Sequence, residues 1–298
     1  MGGVDRGSKN GALDWMPRWL DFSMFDSNGP SRSGSVNLGD HFFMLQNQYN
    51  ETAEALIKQK EYLKAAFIYM KLLKHYPKAA ETLETGGHYQ EAATIYLKHL
   101  NSKDKAARCY EKGNMFAEAI ALYKELNELE KVGDLYKGMN KRTEANTYYE
   151  KVVENYASKD QYVKASLIYK HKIENELGGQ SLLMEGWRNN KDAVNCLNNY
   201  FSNIQDVKQL DHEINTIYAT EVSNDNKEAF LEVIRHEYNR KNELADSIRE
   251  MAYYIIADRV SKNPSIVMEL KAFNITDPKL LKDAMTFTTN TRSKRRSQ

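Results

Sequence analysis

From about residue 53 to 176 the apolar positions recur with a helical period, and they do so in one fixed phrase: two small residues, two variable ones, then a large ring. Ala92-Ala93-x-x-Tyr96 returns as Ala106-Ala107-x-x-Tyr110. The large residues form a series, Tyr69, Leu83, Tyr96, Tyr110, Tyr123, Tyr136 and Tyr149, spaced 14, 13, 14, 13, 13 and 13 apart. Four places before them stand Ala65, Ala79, Ala92, Ala106, Ala119, Val132 and Ala145. Three places before stand Ala66, Ala80, Ala93, Ala107, Ile120, Gly133 and Asn146. Residues at i, i+1 and i+4 share one helical stripe, so each phrase predicts a short helix. Its small residues admit a neighbouring helix, and its tyrosine buries a ring while keeping a hydroxyl for a polar partner.

The joints repeat with the helices. Gly86-Gly87, Asn101-Ser102, Gly113-Asn114 and Gly138-Met139-Asn140 occupy the gaps, where glycine or asparagine can take the left-handed conformation that ends a helix. No proline lies between Pro77 and Pro264, which suits nearly continuous helix. A helix of about ten residues is marginal alone in water, so consecutive units must pair as antiparallel hairpins of about 27 residues and stack. The expected fold is all-α: a right-handed α-solenoid of short antiparallel hairpins with longer C-terminal capping helices. After Tyr149 the period breaks, and Ala165, Ser166 and Tyr169 resume the stripe. A faint echo follows at Ala193, Val194 and Leu197, and then ordinary amphipathic helices. The pattern divides the chain into a mostly disordered arm at 1–40, a repeat array at 41–176, a helical continuation and cap at 177–289, and a basic disordered tail at 290–298.

Composition narrows the chemistry. Forty-two basic residues against 41 acidic ones leave no global field to steer the chain onto nucleic acid or an anionic membrane. Only the tail, with Arg292, Lys294, Arg295 and Arg296, is lopsided, and weak contact with nucleic acid through it is the most that charge implies. No stretch has the ~18 apolar residues a membrane span needs. Cys109 and Cys196 both lie inside apolar helical patterns, which points to a reducing, cytoplasmic setting and to inert thiols. The seven histidines never take a paired metal-ligand spacing, and no glycine-rich phosphate loop occurs. Neither a catalytic residue, nor a metal, nor a cofactor is expected.

Phrases such as "HYQEAATIYLKHL" and "MFAEAIALYKELNELEKVGDLYKG" resemble tetratricopeptide-like arrays, especially the short-helix arrays of coat and intraflagellar-transport proteins. The hairpin is shorter than the ~34 residues of a tetratricopeptide, and none of that family's peptide-binding residues is carried over. The run from "YLKAAFIYMKLLK" to "GWRNNKDAVNCLNNYFSNI" also resembles, more weakly, bacterial helical-repeat proteins associated with a MoxR-type AAA ATPase and a von Willebrand A-domain protein. The resemblances imply a non-enzymatic scaffold or adaptor that binds another protein through the surface of the array, within an ATPase-associated assembly. The alternative is a regulatory protein holding a small molecule or peptide between the array and the C-terminal helices. The packing positions expected from the stripe are the small residues and rings already named, extended by Ala165 and Tyr169.

The arm holds one apolar island, "DWMPRWLDFSMF", with Trp15, Met16, Trp19, Leu20, Phe22 and Phe25. Large aromatics need cover. The expected role is an internal cap on the first repeat; the competing one is a docking peptide for a partner's groove, with aromatic anchors. The double change Trp15→Ala with Trp19→Ala is expected to lower the melting temperature, as an internal cap requires; unchanged melting with loss of a co-purifying protein would assign the docking role instead.

Overall fold

The computed structural model describes residues 38–240, 242–274 and 277–296. Among them every regular element is helical and no strand occurs. The chain resolves into two compact units, one through Leu135 and one from Tyr136, a division inside the segment 41–176 that was expected to form one array.

The first unit contains α1 (Leu38–Lys58), α2 (Tyr62–Phe67) running into a π-turn (Ile68–Leu72), α3 (Tyr76–Thr85), α4 (Tyr89–Lys98), α5 (Lys103–Lys112), α6 (Phe116–Glu125) and the body of α7 (Leu129–Gly138). From α1 to α6 each helix packs on the next. The joints follow one rule. The residue before each helix donates its N–H to the carbonyl of the previous anchor and offers its own carbonyl to the next helix's first small residue. Thus His88 N–H reaches Leu83 O at 2.8 Å and His88 O accepts from Ala92 N–H at 3.1 Å. Met115 does the same between Tyr110 and Ala119, and Glu128 between Tyr123 and Val132.

This rule explains the alternation of 13 and 14. From the joint residue to the next anchor is always eight places; from an anchor to the joint is five (Leu83 to His88) or six (Tyr69 to His75, Tyr96 to Ser102). The residue just before the joint is left-handed each time: Lys74, Gly87, Asn101, Asn114, Asn127 and Asn140 all have positive φ. At the Gly113-Asn114 joint the asparagine turns, not the glycine, whose φ is −84°. Asparagine tolerates this region better than other side chains because its short amide bonds locally.

Two alternate anchors are held at both ends. Tyr96 donates its hydroxyl to Glu84 Oε1 at 2.7 Å, and Lys105 Nζ stands 5.4 Å from its ring centroid. Tyr123 repeats this with Glu111 at 2.7 Å and Lys131 at 4.9 Å. Tyr69 has Lys78 at 4.6 Å from its ring centroid, and its buried hydroxyl meets that ammonium, whose pKa it raises, rather than a carboxylate. The position corresponding to Glu84 and Glu111 is Ile57 there, 27 residues earlier than Glu84.

The second unit continues with α8 (Arg142–Ala157), α9 (Tyr162–Ile168) running into a π-turn (Tyr169–Ile173), α10 (Glu176–Arg188) and α11 (Ala193–Ser202). The apparent break after Tyr149 is a seven-residue insertion within α8. Tyr156 O takes over as closing carbonyl for Gln161 N–H, and Gln161 O accepts from Ala165 N–H. The phase then runs on through Asn175, which joins Tyr169 to Gly179. Asp192 O next accepts from Cys196 N–H, which puts Cys196, Leu197 and Tyr200 on the stripe, three places beyond the echo expected at Ala193 and Val194. Gly186 is required by close approach: a Cβ there would lie 2.5 Å from Cys196 Sγ and 3.0 Å from Tyr162 Cβ.

Longer helices, with the single turn α15 (Leu270–Phe273) among them, complete this unit: α12 (Val207–Thr220), α13 (Lys227–Arg240), α14 (Ala245–Arg259) and α16 (Pro278–Arg296). Their core gathers Trp187, Leu197, Phe201, Leu210, Phe230, Ile248, Ile255 and Phe273. Glu237 is fully buried within it, bonded by Arg240 Nη2 at 2.6 Å. Helix α16 extends to Arg296, into the segment 290–298 expected as an unstructured tail, because no glycine or proline follows Pro278 and Arg and Lys are good helix formers.

The tyrosine series predicts unequal hydroxyl deletions. Tyr69→Phe should leave stability within ~0.5 kcal/mol, since its hydroxyl meets only the partly exposed Lys78 ammonium, whereas Tyr96→Phe should cost about 1–3 kcal/mol by denying Glu84 its donor. Urea denaturation of the two variants checks this; equal costs would refute it.

Burial and the charge of Glu84 push the Cys109 thiol up to about 12, and burial with Asp192 pushes Cys196 up to about 11. Burial and the bonded carboxylates also raise the Tyr96, Tyr123 and Tyr200 hydroxyls. Raised folded values mean that stability is full at neutral pH and falls as the unfolded chain ionises, from about pH 8.5 for its cysteines and about 10 for its tyrosines. Thermal melts from pH 7 to 11 should therefore decline with a slope that steepens above about 10, and Tyr96→Phe should soften the steeper part.

Candidate functional site

The small stripe residues Ala65, Ala79, Ala92, Ala106, Ala119, Val132, Ala145 and Ala165 are all fully buried. So are Tyr69, Leu83, Tyr123 and Tyr149, while Tyr96 is 2% exposed. Tyr110, Tyr136 and Tyr169 are partly buried. The stripe thus forms helix contacts and leaves other faces for partners. The island with Trp15, Met16, Trp19, Leu20, Phe22 and Phe25 lies outside the described residues.

Clusters with chemistry-bearing side chains are few and mostly closed. Cys109 is buried beside Glu84, which also takes Tyr96 Oη and Lys112 Nζ, the last at 3.1 Å. Burial opposes the Glu84 charge, but the Tyr96 and Lys112 hydrogen bonds outweigh it and its carboxyl titrates below the ordinary range. A thiol with a pKa of about 12 is no nucleophile at neutral pH, so this group is a packing joint. Among the described residues no group of three or more His, Cys, Asp or Glu is placed to hold a metal ion.

The most site-like feature is a cleft of about 290 Å³ in the second unit, between α9 with its π-turn, α10 and α11. Its lining includes Leu167, Lys170, Gln180, Leu183, Asn199 and Asn203. Lys170 Nζ donates to Asn203 Oδ1 at 2.6 Å, and Asn199 Nδ2 donates to Asn195 O at 2.8 Å. Gln180 Oε1 is buried without a hydrogen-bond partner. Gly179 lets α10 approach α9, for a Cβ there would stand 3.1 Å from Ser166 O. None of the cleft residues except Ser166 was singled out from sequence. One signal was available: counting from the joint at Asn175, Gln180 occupies the second small position of the stripe, where Ala80, Ala93 and Ala107 stand in the first unit.

Comparison with known proteins agrees with the geometry of the array. The tetratricopeptide repeat model matches residues 51–79, 104–131 and 129–158. No curated protein matches the chain. Among the described residues no helix is long and apolar enough to cross a membrane. With helices joined in fixed phase through this segment and three matches along it, the stretch from 51 to 158 is a tetratricopeptide-like helical repeat.

Proposed function

We propose that this protein is a non-enzymatic scaffold or adaptor that binds another protein through the surface of its helical-repeat array. The observation that carries the reading is the repeat itself. Its side-chain stripe is used up in helix contacts, and its backbone joints hold the helices in register. The remaining faces of its helices are exposed, as in other repeat proteins whose surfaces bind partners. An ATPase-associated assembly is suggested by the weaker sequence resemblance alone, and a cytoplasmic setting by the two cysteines inside apolar helical patterns. The domain limits that go with this proposal are a repeat array at 41–176 and a helical continuation and cap at 177–289.

A second reading, a small molecule or peptide bound between the array and the C-terminal helices, is supported by the cleft between α9, α10 and α11.

Affinity purification of the full chain, followed by lysine-specific cross-linking of what co-elutes, tests the scaffold. A stoichiometric partner cross-linked to exposed lysines of the array such as Lys98 and Lys105 is expected. Links confined to the C-terminal basic residues, or a specific turnover that one point substitution abolishes, would overturn it.

A further inference from the structure

We propose that residues 14–25 fold back as a strap on α1 and cover its bare N-terminal half, with Trp15, Trp19 and Phe22 set against Tyr49, Leu45 and Phe42. The strap itself lies outside the described residues, and the proposal starts from the surface it would cover.

The phase of the repeat ends inside α1. Glu61 is a joint like those that follow: its N–H reaches Leu56 O at 2.9 Å, and its O accepts from Ala65 N–H at 3.1 Å. Eight places before that anchor stands Gln48, so residues 38–47 belong to α1 but precede the first repeat unit. Below this point α1 is packed: Ala53 is fully buried, and Tyr49, Leu56 and Ile57 lie against the core of the first unit. Above it every residue from 42 to 48 is exposed. Helix α2 and its π-turn, of 6 and 5 residues, are too short to accompany the 21 residues of α1. Yet Phe42, Phe43, Met44 and Leu45 are 70, 63, 68 and 44% exposed, a run of four large apolar side chains found nowhere else among the described residues. A helical turn that is apolar on all sides belongs in an interior.

The chain just before α1 supplies a matching face. Phe42, Leu45 and Tyr49 are spaced 3 and 4 apart and share one side of α1; Trp15, Trp19 and Phe22 are spaced 4 and 3 apart. In an antiparallel pairing the two spacings coincide. Asp14 is a good cap residue and Pro17 falls in a first turn, so the sequence from 14 onward suits a short helix. Between Phe25 and Leu38 stand the twelve residues 26–37, with the turn signal Gly29-Pro30 among them. Twelve residues reach at most about 40 Å, more than the ~15 Å that ten helical residues occupy. The stretch 42–48 is uncharged, so Asp14 and Asp21 meet no like charge there. A second copy is the weaker occupant, because four side chains offer well under the ~800 Å² per partner that a stable interface buries. A tethered segment acts at about millimolar effective concentration and needs less area.

Tryptophan fluorescence of the full chain tests the strap, since Trp15 and Trp19 leave only Trp187 to remove. In Trp187→Phe the two remaining tryptophans should be shielded from acrylamide relative to a synthetic peptide of residues 12–28, and light scattering should show a monomer. Adding Phe42→Asp/Leu45→Asp should shift the emission to the red and raise quenching to that of the peptide, while circular dichroism is kept because both positions are exposed. If Trp187→Phe disturbs the fold, subtracting the signal of Trp15→Ala/Trp19→Ala from wild type gives the same reading; if the aspartates do, Phe42→Ser/Leu45→Ser replaces them. Tryptophans as quenchable as in the peptide overturn the proposal and leave the segment free to dock on a partner. Shielding unchanged by the α1 substitutions also overturns it, as does shielding that fades on dilution together with a dimer, which would assign the patch to a second copy.

Discussion

Much of this structure depends on a doubly bonded backbone residue between consecutive helices. Its N–H closes onto the anchor carbonyl behind it and its C=O opens the helix ahead, so the joint needs almost no side-chain cap. His75 and Asn175 do cap with their side chains, but His88, Ser102, Met115 and Lys141 do not. This economy allows the joint sequences to vary so widely. What cannot vary is the left-handed residue just before the joint, and asparagine takes that place four times in succession from Asn101 to Asn140. Lys74 and Glu174 take it without that advantage, two places and one place after a π-turn, and each belongs to a six-place closure.

Because the joints fix the phase, the array accepts extra residues only where they return the stripe to its face. The insertion from Tyr149 to Tyr156 is seven residues, about 20° short of two full turns, so Val152, Val153 and Tyr149 stay buried together and the next joint finds its carbonyl in place. From Leu183 to Gly186, whose carbonyl receives Lys191 N–H, the shift is three residues, about 60° short of a turn. That larger error turns α10 against Cys196 and Tyr162, and only glycine at 186 fits.

The stripe and its joints were legible because they obey local rules: small residues where helices meet, a ring to fill the gap, asparagine or glycine to turn. The 12-residue separation of Glu84 from Tyr96, repeated by Glu111 and Tyr123, was also in the sequence, but a lone carboxylate on a helix is indistinguishable from a solvated one until its partner tyrosine is placed. Past Tyr149 the sequence pattern shows a break and a resumption at Ala165 and Tyr169, but not the unbroken phase between them, because Gln161, Asn175 and Asp192 carry it with no small residue or ring of their own. The cleft was hidden for another reason. Lys170, Gln180, Asn199 and Asn203 come from three helices, and their juxtaposition depends on a π-turn that no residue pattern announces.

Gln180 shows how little the joint depends on this part of the stripe. The corresponding position is alanine at Ala66, Ala80, Ala93 and Ala107, but it is held by Ile120, Gly133, Asn146 and Ser166 in the helices that follow. At Gln180 the backbone joint is kept although an amide stands there with its oxygen unbonded in the interior. The side chain at this position therefore varies while the joint does not, and the phase of the helices rests on backbone bonds rather than on any one packed side chain.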